Sequence, residues 1–229
     1  MWNAKSTGGY SSTSPEGREN ANEMASTFLS VGFSIDAVSA MLGNSAGEGG
    51  LNPWRWESDY VPTYSEYLSW SGQTAMVHGY GLFGFTPAKS YIEAAKSIAG
   101  YAPNFKDKAG NPSDGQAQTI FMTTYVQQNW SHSLHNYYAD NFAAIGVNID
   151  DFYYMTYDDF KNGDASLDNL TGAFELCFEK PNDAAAASSY AHRVSEAYKW
   201  YEYFEGHPPT PHPTKRKGMP IWMMLRPYW

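Results

Sequence analysis

Apolar residues recur at helical spacing along most of the chain. In the first such segment, which starts at Pro15, the apolar positions follow i, i+3, i+7 and i+10: Ala21, Met24, Phe28 and Val31. Gly32 ends this predicted helix, and Ser34 can cap a second one. The second helix has its own apolar stripe: Ile35, Val38, Met41 and Leu42. It runs out in the glycine-rich sequence GNSAGEGG.

The remaining pattern predicts a helical domain with one small irregular region. Residues 49–86 form a loop rich in Trp and Tyr, with a short helix near Tyr64–Trp70 and then a short irregular hairpin where glycines interrupt an apolar run. Five further helices are predicted over 88–99, 114–129, 133–145, 167–179 and 184–204. The predicted fold is therefore mainly α, a helical domain with a small β-hairpin region.

Composition changes divide the chain into four parts. Residues 1–15 are rich in Ser, Thr and Gly and predict a flexible lead-in, and residues 16–205 form the predicted domain. Residues 206–214 are a proline-rich linker, and residues 215–229 are basic and apolar. That C-terminal segment packs back on the domain, docks on a partner or membrane surface, or begins a further module.

Charge and composition exclude several classes of function. A formal net charge of −9, with no basic face in the first 210 residues, excludes a nucleic-acid binder. One cysteine excludes an intramolecular disulfide. No apolar run follows the N-terminus, so we expect no signal peptide.

The sequence contains no clear motif for a metal site or for an activated nucleophile. The six histidines include no H-E-x-x-H pair, and the closest spacing, HSLH, has no Glu between the two histidines. G-x-S-x-G is absent, and Cys177 lies in an apolar run with no basic neighbour that would activate it. We therefore predict neither a metal nor a cofactor.

Carboxylate chemistry remains, and Glu48 stands out. It lies at the predicted C-terminal end of the second helix, where the negative end of the helix dipole disfavours a second negative charge. A glutamic acid that stays protonated near neutrality is what general acid catalysis requires. The neighbouring glycines Gly47, Gly49 and Gly50 leave space for a bulky polymer. The alternative is a solvated glutamate near a helix end.

Four blocks resemble the phage tail lysozymes, relatives of goose-type lysozymes and lytic transglycosylases. The family motif G-N-x-x-x-E…N-P matches the stretch GNSAGEGGLNP, and a later motif, G-Y-G-L-x-Q-W-T-P, is similar to GYGLFGFTP. An Asn-Ala helix precedes these motifs as NANEMASTF, and an apolar helix that finishes in F-E-x-P follows as LTGAFELCFEKP. The blocks fall in order across residues 20–204.

The resemblance implies a lysozyme-like fold whose cleft binds peptidoglycan and cleaves the β-1,4 bond after N-acetylmuramic acid. By position, Glu48 matches the catalytic glutamate and Asn52 matches the N-P pair. Tyr80 and Gly81 match the hairpin that lines the cleft. The chain departs from the motif where Gly49 replaces a Ser, Gly84 a Gln and Phe85 a Trp, and losing the Gln amide removes a potential contact in the cleft.

The loop at residues 49–86 also contains candidates for a second catalytic group and for sugar contacts. Glu57 and Asp59 are the first candidates for a second carboxylate, with Glu66 behind them, and the alternative is solvated loop charges. Some relatives work with one glutamate and the acetamido group of the substrate. Four aromatic residues either stack on sugar rings or form a small core: Trp54, Trp56, Tyr60 and Tyr64. Arg55 is either solvated or binds a carboxylate of the peptide side chain.

These expectations define one leading function and two alternatives. The leading function is a peptidoglycan-degrading muramidase carried on a phage tail, with other tail proteins as partners through residues 215–229. A lytic transglycosylase that gives anhydro products is the first alternative. A wall-binding tail module that has lost activity is the second, and the changes at Gly49 and Gly84 motivate it.

Overall fold

Side-chain caps delimit the helices of this protein. The computed structural model describes residues 2–48, 50–59, 79–85, 88, 91 and 112–211. The helices with described bounds are α1 (Pro15–Ser30), α2 (Ile35–Gly47), α3 (Pro112–Asn129), α4 (His135–Ala144), α5 (Tyr157–Asn162), α6 (Leu167–Phe174) and α7 (Asp183–Gly206). The side-chain oxygen of the residue before a helix accepts a first-turn N–H at Ser14, Ser34, Thr156, Ser166 and Asn182.

The prediction of a mainly helical fold is confirmed. The helix predicted over 167–179 divides into α6 and one π-helical turn, Glu175–Glu179. Helix α5 was not predicted, because its six residues owe their helical state to a capping box of Thr156 and Asp159, and they are too few to show a period. The helices predicted over 88–99 and Tyr64–Trp70 fall mostly or wholly outside the described residues, and so do the C-terminal segment 215–229 and the end of the linker.

Two expectations need correction. In the described part of residues 49–86, the hairpin is reduced to isolated bridges that pair Tyr80 with Trp56 and with Phe85. The predicted flexible lead-in is packed on the domain: Trp2 is buried, and the Asn3 N–H donates to Asn20 Oδ1 at 2.7 Å. The polar composition of this segment hid the single large apolar ring that anchors it.

Helix α2 is the centre of the packing. It lies against α7 and α6, and α1 packs on α3. Gly43 allows the close approach of α7, because a Cβ at this position would lie 2.5 Å from the Arg193 carbonyl oxygen. This contact brings the middle of α7 to the C-terminal half of α2. Among the described residues, no helix combines the length and the apolar character that crossing a membrane requires.

Candidate active site

Glu48 caps the C-terminus of α2, as the sequence predicted. Its backbone N–H donates to the Ser45 carbonyl at 3.1 Å, which turns the chain out of the helix. The Glu48 side chain is 29% exposed. The carboxyl group is therefore anchored in the protein and still accessible to a ligand.

A buried arginine from α7 holds the Glu48 carboxylate. Arg193 Nη2 donates to Glu48 Oε1 at 2.8 Å, and Arg193 Nη1 donates to Asn44 Oδ1 at 3.0 Å. The Arg193 side chain is only 5% exposed. The positive charge of Arg193 lies at the C-terminus of α2, where it offsets the negative end of the helix dipole. Arg193 is thus part of the site.

Glu175 lies on the other side of the same guanidinium. Its Oε1 is 3.0 Å from Arg193 Nε and accepts from the Ser189 hydroxyl at 2.8 Å. Burial raises the pKa of the Glu175 carboxyl to about 7; Arg193 and the Ser189 hydrogen bond lower it, and the charge of Glu48 raises it. Burial also tends to lower the pKa of Arg193, but the surrounding carboxylates raise it above its ordinary value. The guanidinium therefore stays charged.

A third carboxyl group, Glu179, completes the cluster. Its residue is half-buried, but its Oε1 is shielded from solvent and has no hydrogen-bond partner. Burial raises the pKa of Glu179 well above its usual range, the charges of Glu48 and Glu175 raise it further, and Arg193 opposes them. The charges of Glu48, Glu175 and Arg193 thus all act on the pKa of Glu179.

A tight turn at residues 80–85 covers one side of Glu48. The Ser45 hydroxyl donates to the Leu82 carbonyl at 2.8 Å, which fastens the turn to α2. Gln118 of α3 accepts from the Leu82 N–H at 2.7 Å and donates to the Pro53 carbonyl at 2.6 Å. Both anchoring side chains are buried. The turn therefore has a fixed position relative to the carboxylate.

Gly84 gives the Glu48 carboxylate its space. A Cβ at this position would lie 3.0 Å from Glu48 Oε2, and the backbone has a φ of +55°. Any larger side chain would meet the carboxylate and adopt a strained backbone. The family motif has a Gln at this position. Because this chain has a glycine there, the Gly84 backbone lies directly beside the Glu48 carboxyl group.

Asn52 fastens the N-terminal segment. It is fully buried, and its Nδ2 donates to the carbonyls of Lys5 and Gly8 at 2.8 and 2.7 Å. Its Oδ1 accepts from the Trp54 N–H at 3.1 Å. These contacts do not support the predicted direct contact with substrate, since the amide is committed to backbone groups inside the fold.

Glu57 and Asp59 are both engaged with backbone. Glu57 Oε2 accepts from the Gly79 N–H at 2.8 Å. Asp59 Oδ1 accepts from the Gly8 N–H at 2.6 Å and lies 3.4 Å from Arg55 Nε. The structure brings neither carboxylate into a contact with Glu48. Arg55 of the same loop does contact Glu48, because its Nη1 donates to the Glu48 carbonyl at 3.2 Å.

The aromatic residues of the loop favour the core alternative. Trp54, Trp56 and Tyr80 are at most 1% exposed, and the centres of the Trp56 and Tyr80 rings lie 4.5 Å apart. Rings without an accessible face offer a sugar no surface to stack on, which favours a core role for these three. Gly81 donates its N–H to the Arg55 carbonyl at 2.7 Å, and Tyr60 lies outside the described residues.

The described part of the chain offers no support for a metal site or for a thiol nucleophile. No group of three or more His, Cys, Asp or Glu residues there could hold a metal ion. Cys177 is buried, and burial raises the pKa of its thiol to about 12. A thiol that remains protonated is a poor nucleophile.

Sequence reasoning missed Asn44, Glu175, Glu179 and Arg193. A pattern was present, since Glu175 and Glu179 interrupt the apolar run LTGAFELCF and its continuation. A charged residue in a buried helix requires a partner of opposite charge. Arg193, within the long helix at the end of the domain, was a candidate for that partner.

A mainly helical domain with a partly exposed glutamate at a helix terminus fits the lysozyme-like class that the sequence motifs resemble. A model of the phage tail lysozyme family matches residues 19–204, and the chain belongs to this family. The match includes α2, the turn at 80–85 and the helices that carry Glu175 and Arg193. Family membership indicates a phage-associated, lysozyme-like glycosidase that acts on the cell wall. A comparison with curated proteins found no match.

Proposed function

We propose that this protein is a muramidase that cleaves the β-1,4 bond between N-acetylmuramic acid and N-acetylglucosamine, with Glu48 as the general acid. One observation carries the proposal: the Glu48 carboxyl at the end of α2 is 29% exposed, whereas the Glu175 carboxyl on the other side of Arg193 is fully buried. Family membership supports peptidoglycan as the polymer that reaches it. We further propose that the protein acts from the phage tail, with other tail proteins as partners through residues 215–229.

The chemical step is a proton transfer coupled to bond cleavage. The Glu48 proton moves to the glycosidic oxygen, and the electron pair of the C1–O bond goes to that oxygen as the leaving sugar departs. Arg193 holds Oε1, so Oε2, beside Gly84, is the oxygen that faces the substrate. Water then captures the sugar cation at C1, and its released proton returns to the site.

The second catalytic group stays a prediction. Glu57 and Asp59 remain the proposed candidates, although both carboxylates already bind backbone groups. The shielding of Glu175 and Glu179 favours an alternative in which Glu48 works alone. The acetamido group or the 6-hydroxyl of the substrate then captures the sugar cation, and capture by the hydroxyl gives an anhydro product, as in a lytic transglycosylase.

Digestion of purified peptidoglycan tests the general acid. We expect Glu48→Gln to abolish release of soluble fragments, since the amide keeps the shape but has no acidic proton. Glu202→Gln, the same change at an exposed position of α7, is the matched control and should retain full activity. Equal activity of the wild type and Glu48→Gln would refute the assignment. Wall binding without digestion by the wild type would instead favour the non-catalytic tail module.

Mass spectrometry of the products identifies the bond and the chemistry. A reducing N-acetylmuramic acid end supports the muramidase, and a 1,6-anhydro end supports the transglycosylase. A reducing N-acetylglucosamine end would contradict the proposed bond. Loss of activity in Glu57→Gln or Asp59→Asn with unchanged thermal stability would identify that residue as the second catalytic group.

A further inference from the structure

Residues 2–10, here named the N-terminal strap, pack against the turn that follows Glu48. Tyr10 donates its backbone N–H to the Gly50 carbonyl at 2.5 Å. The Gly9 backbone lies against that of Gly50, because a Cβ at position 9 would be 2.8 Å from Gly50 Cα and 3.0 Å from the Gly50 carbonyl oxygen. The strap therefore contacts a residue two positions beyond the proposed general acid.

Buried amide side chains join the rest of the strap to the same turn. The fully buried Asn20 donates through Nδ2 to the Asn3 carbonyl at 2.9 Å and to the Leu51 carbonyl at 2.7 Å. Asn52, which is also fully buried, donates to two further carbonyls of the strap. The strap and residues 50–52 therefore belong to one hydrogen-bond network.

The turn has a backbone conformation that requires support. Gly50 and Leu51 both have a φ of +56°, and this left-handed region is unfavourable for a leucine. Such a conformation persists only where the surrounding contacts hold it. Within the loop, Arg55 Nη1 donates to the Glu48 carbonyl at 3.2 Å and would lie 3.6 Å from a Cβ at Gly50. Contacts from Arg55 and from the strap thus meet at this turn.

We propose that the N-terminal strap positions Glu48 for catalysis, with Gly9 as the positioning residue that acts through Gly50. The inference rests on the proposed role of Glu48 as general acid. The strap precedes residue 19, where the family match begins, so it adds to the part of the chain that the family model covers. Glycine is required at position 9, since any side chain there forces two backbones apart. A small displacement of the acid slows the chemical step without weakening binding.

Amide hydrogen exchange, measured by NMR on the full wild-type chain, tests whether the strap and the turn open as one unit. The Gly50 N–H donates to the Ser45 carbonyl at 2.8 Å. We expect the Tyr10 and Gly50 amides to exchange within about tenfold of each other, because residues of one cooperative unit open together. A Tyr10 amide that exchanges as fast as an unstructured peptide overturns the proposal. This measurement needs no variant, so it is decisive even if Gly9→Ala does not fold.

Peptidoglycan digestion by Gly9→Ala tests the functional consequence. At a temperature well below the unfolding transition, kcat should fall about 10- to 100-fold, with KM within about twofold of the wild type. Gly206→Ala is the matched control and should retain the wild-type kcat, since a Cβ at Gly206 meets no atom within 4 Å beyond its own helix.

The alternatives give different results. A purely structural strap would lower the unfolding temperature of Gly9→Ala and leave its kcat unchanged, which overturns the proposal. A raised KM with unchanged kcat would make the strap a substrate contact and overturns it as well. Full activity of Glu48→Gln, with a protected Tyr10 amide and a reduced kcat in Gly9→Ala, would overturn the proposed general acid and leave the strap as a support of the active site.

Discussion

Replacing Arg193 by Met should lower the free energy of unfolding more than replacing any exposed charged residue does. The guanidinium makes charge-assisted contacts of 2.8 Å with Glu48 and 3.0 Å with Glu175, and donates to Asn44 at 3.0 Å. Each hydrogen bond to a charged group contributes about 1.5–3 kcal/mol, and the Glu48 contact is partly screened by solvent. We expect a loss of about 3–5 kcal/mol, the range for breaking a buried pair.

Glu175 determines most of this cost. It is fully buried, and without Arg193 its carboxyl must either stay ionised without a partner or take up a proton. The destabilisation should therefore grow as the pH rises. The double variant Arg193→Met with Glu175→Gln removes both charges and should recover part of the loss.

Urea unfolding followed by tryptophan fluorescence measures these free energies. Arg18→Met is the matched control: Arg18 is exposed, and its guanidinium lies 5.1 Å from the centre of the Tyr203 ring. We expect this control to cost less than about 1 kcal/mol. A loss of the same size in Arg193→Met, or a double variant no more stable than the single one, would refute the argument that Arg193 compensates a buried charge.

Three other changes test separate features. Because burial raises the pKa of Glu175 to about 7, its contribution to stability is present below about 4.5 and is lost as the pH rises through 7. Wild-type stability should thus fall by about 3 kcal/mol over this window, and urea unfolding of Glu175→Gln should lack that fall. Gly84→Ala places a Cβ 3.0 Å from Glu48 Oε2, so kcat for wall digestion should fall about 10- to 100-fold; unchanged kcat would argue against a tight site. Asn52→Ala should lower the unfolding free energy by about 2 kcal/mol without changing KM, whereas a raised KM would restore the substrate contact.

Most helices could be predicted from the sequence because their causes are local. Ser34 and Ala37 are three residues apart, and the cap they form depends on nothing outside that turn. The same locality placed Glu48 at the end of α2, since the glycines that follow the helix are its immediate neighbours. Helix α5 escaped prediction because one turn and a half is too short for a hydrophobic period.

The loop after α2 shows where composition misleads. A cluster of Trp and Tyr residues is compatible with both a sugar platform and a buried core. The distinction depends on which ring faces are covered, and that depends on distant parts of the chain: Gln118 of α3 binds the backbone of both Leu82 and Pro53. Trp54, Trp56 and Tyr80 are buried in the packed fold.

Local sequence patterns are enough to predict a helical domain and a glutamate at the end of its second helix. The surroundings of that glutamate depend on how the helices pack. Arg193 lies 145 residues beyond Glu48 in the chain and reaches it because Gly43 lets α7 pack closely on α2. Periodicity and caps are set by residues within one or two turns, whereas the pairing of buried charges depends on which helix faces meet. The chemistry of Glu48 is therefore a property of the packed fold.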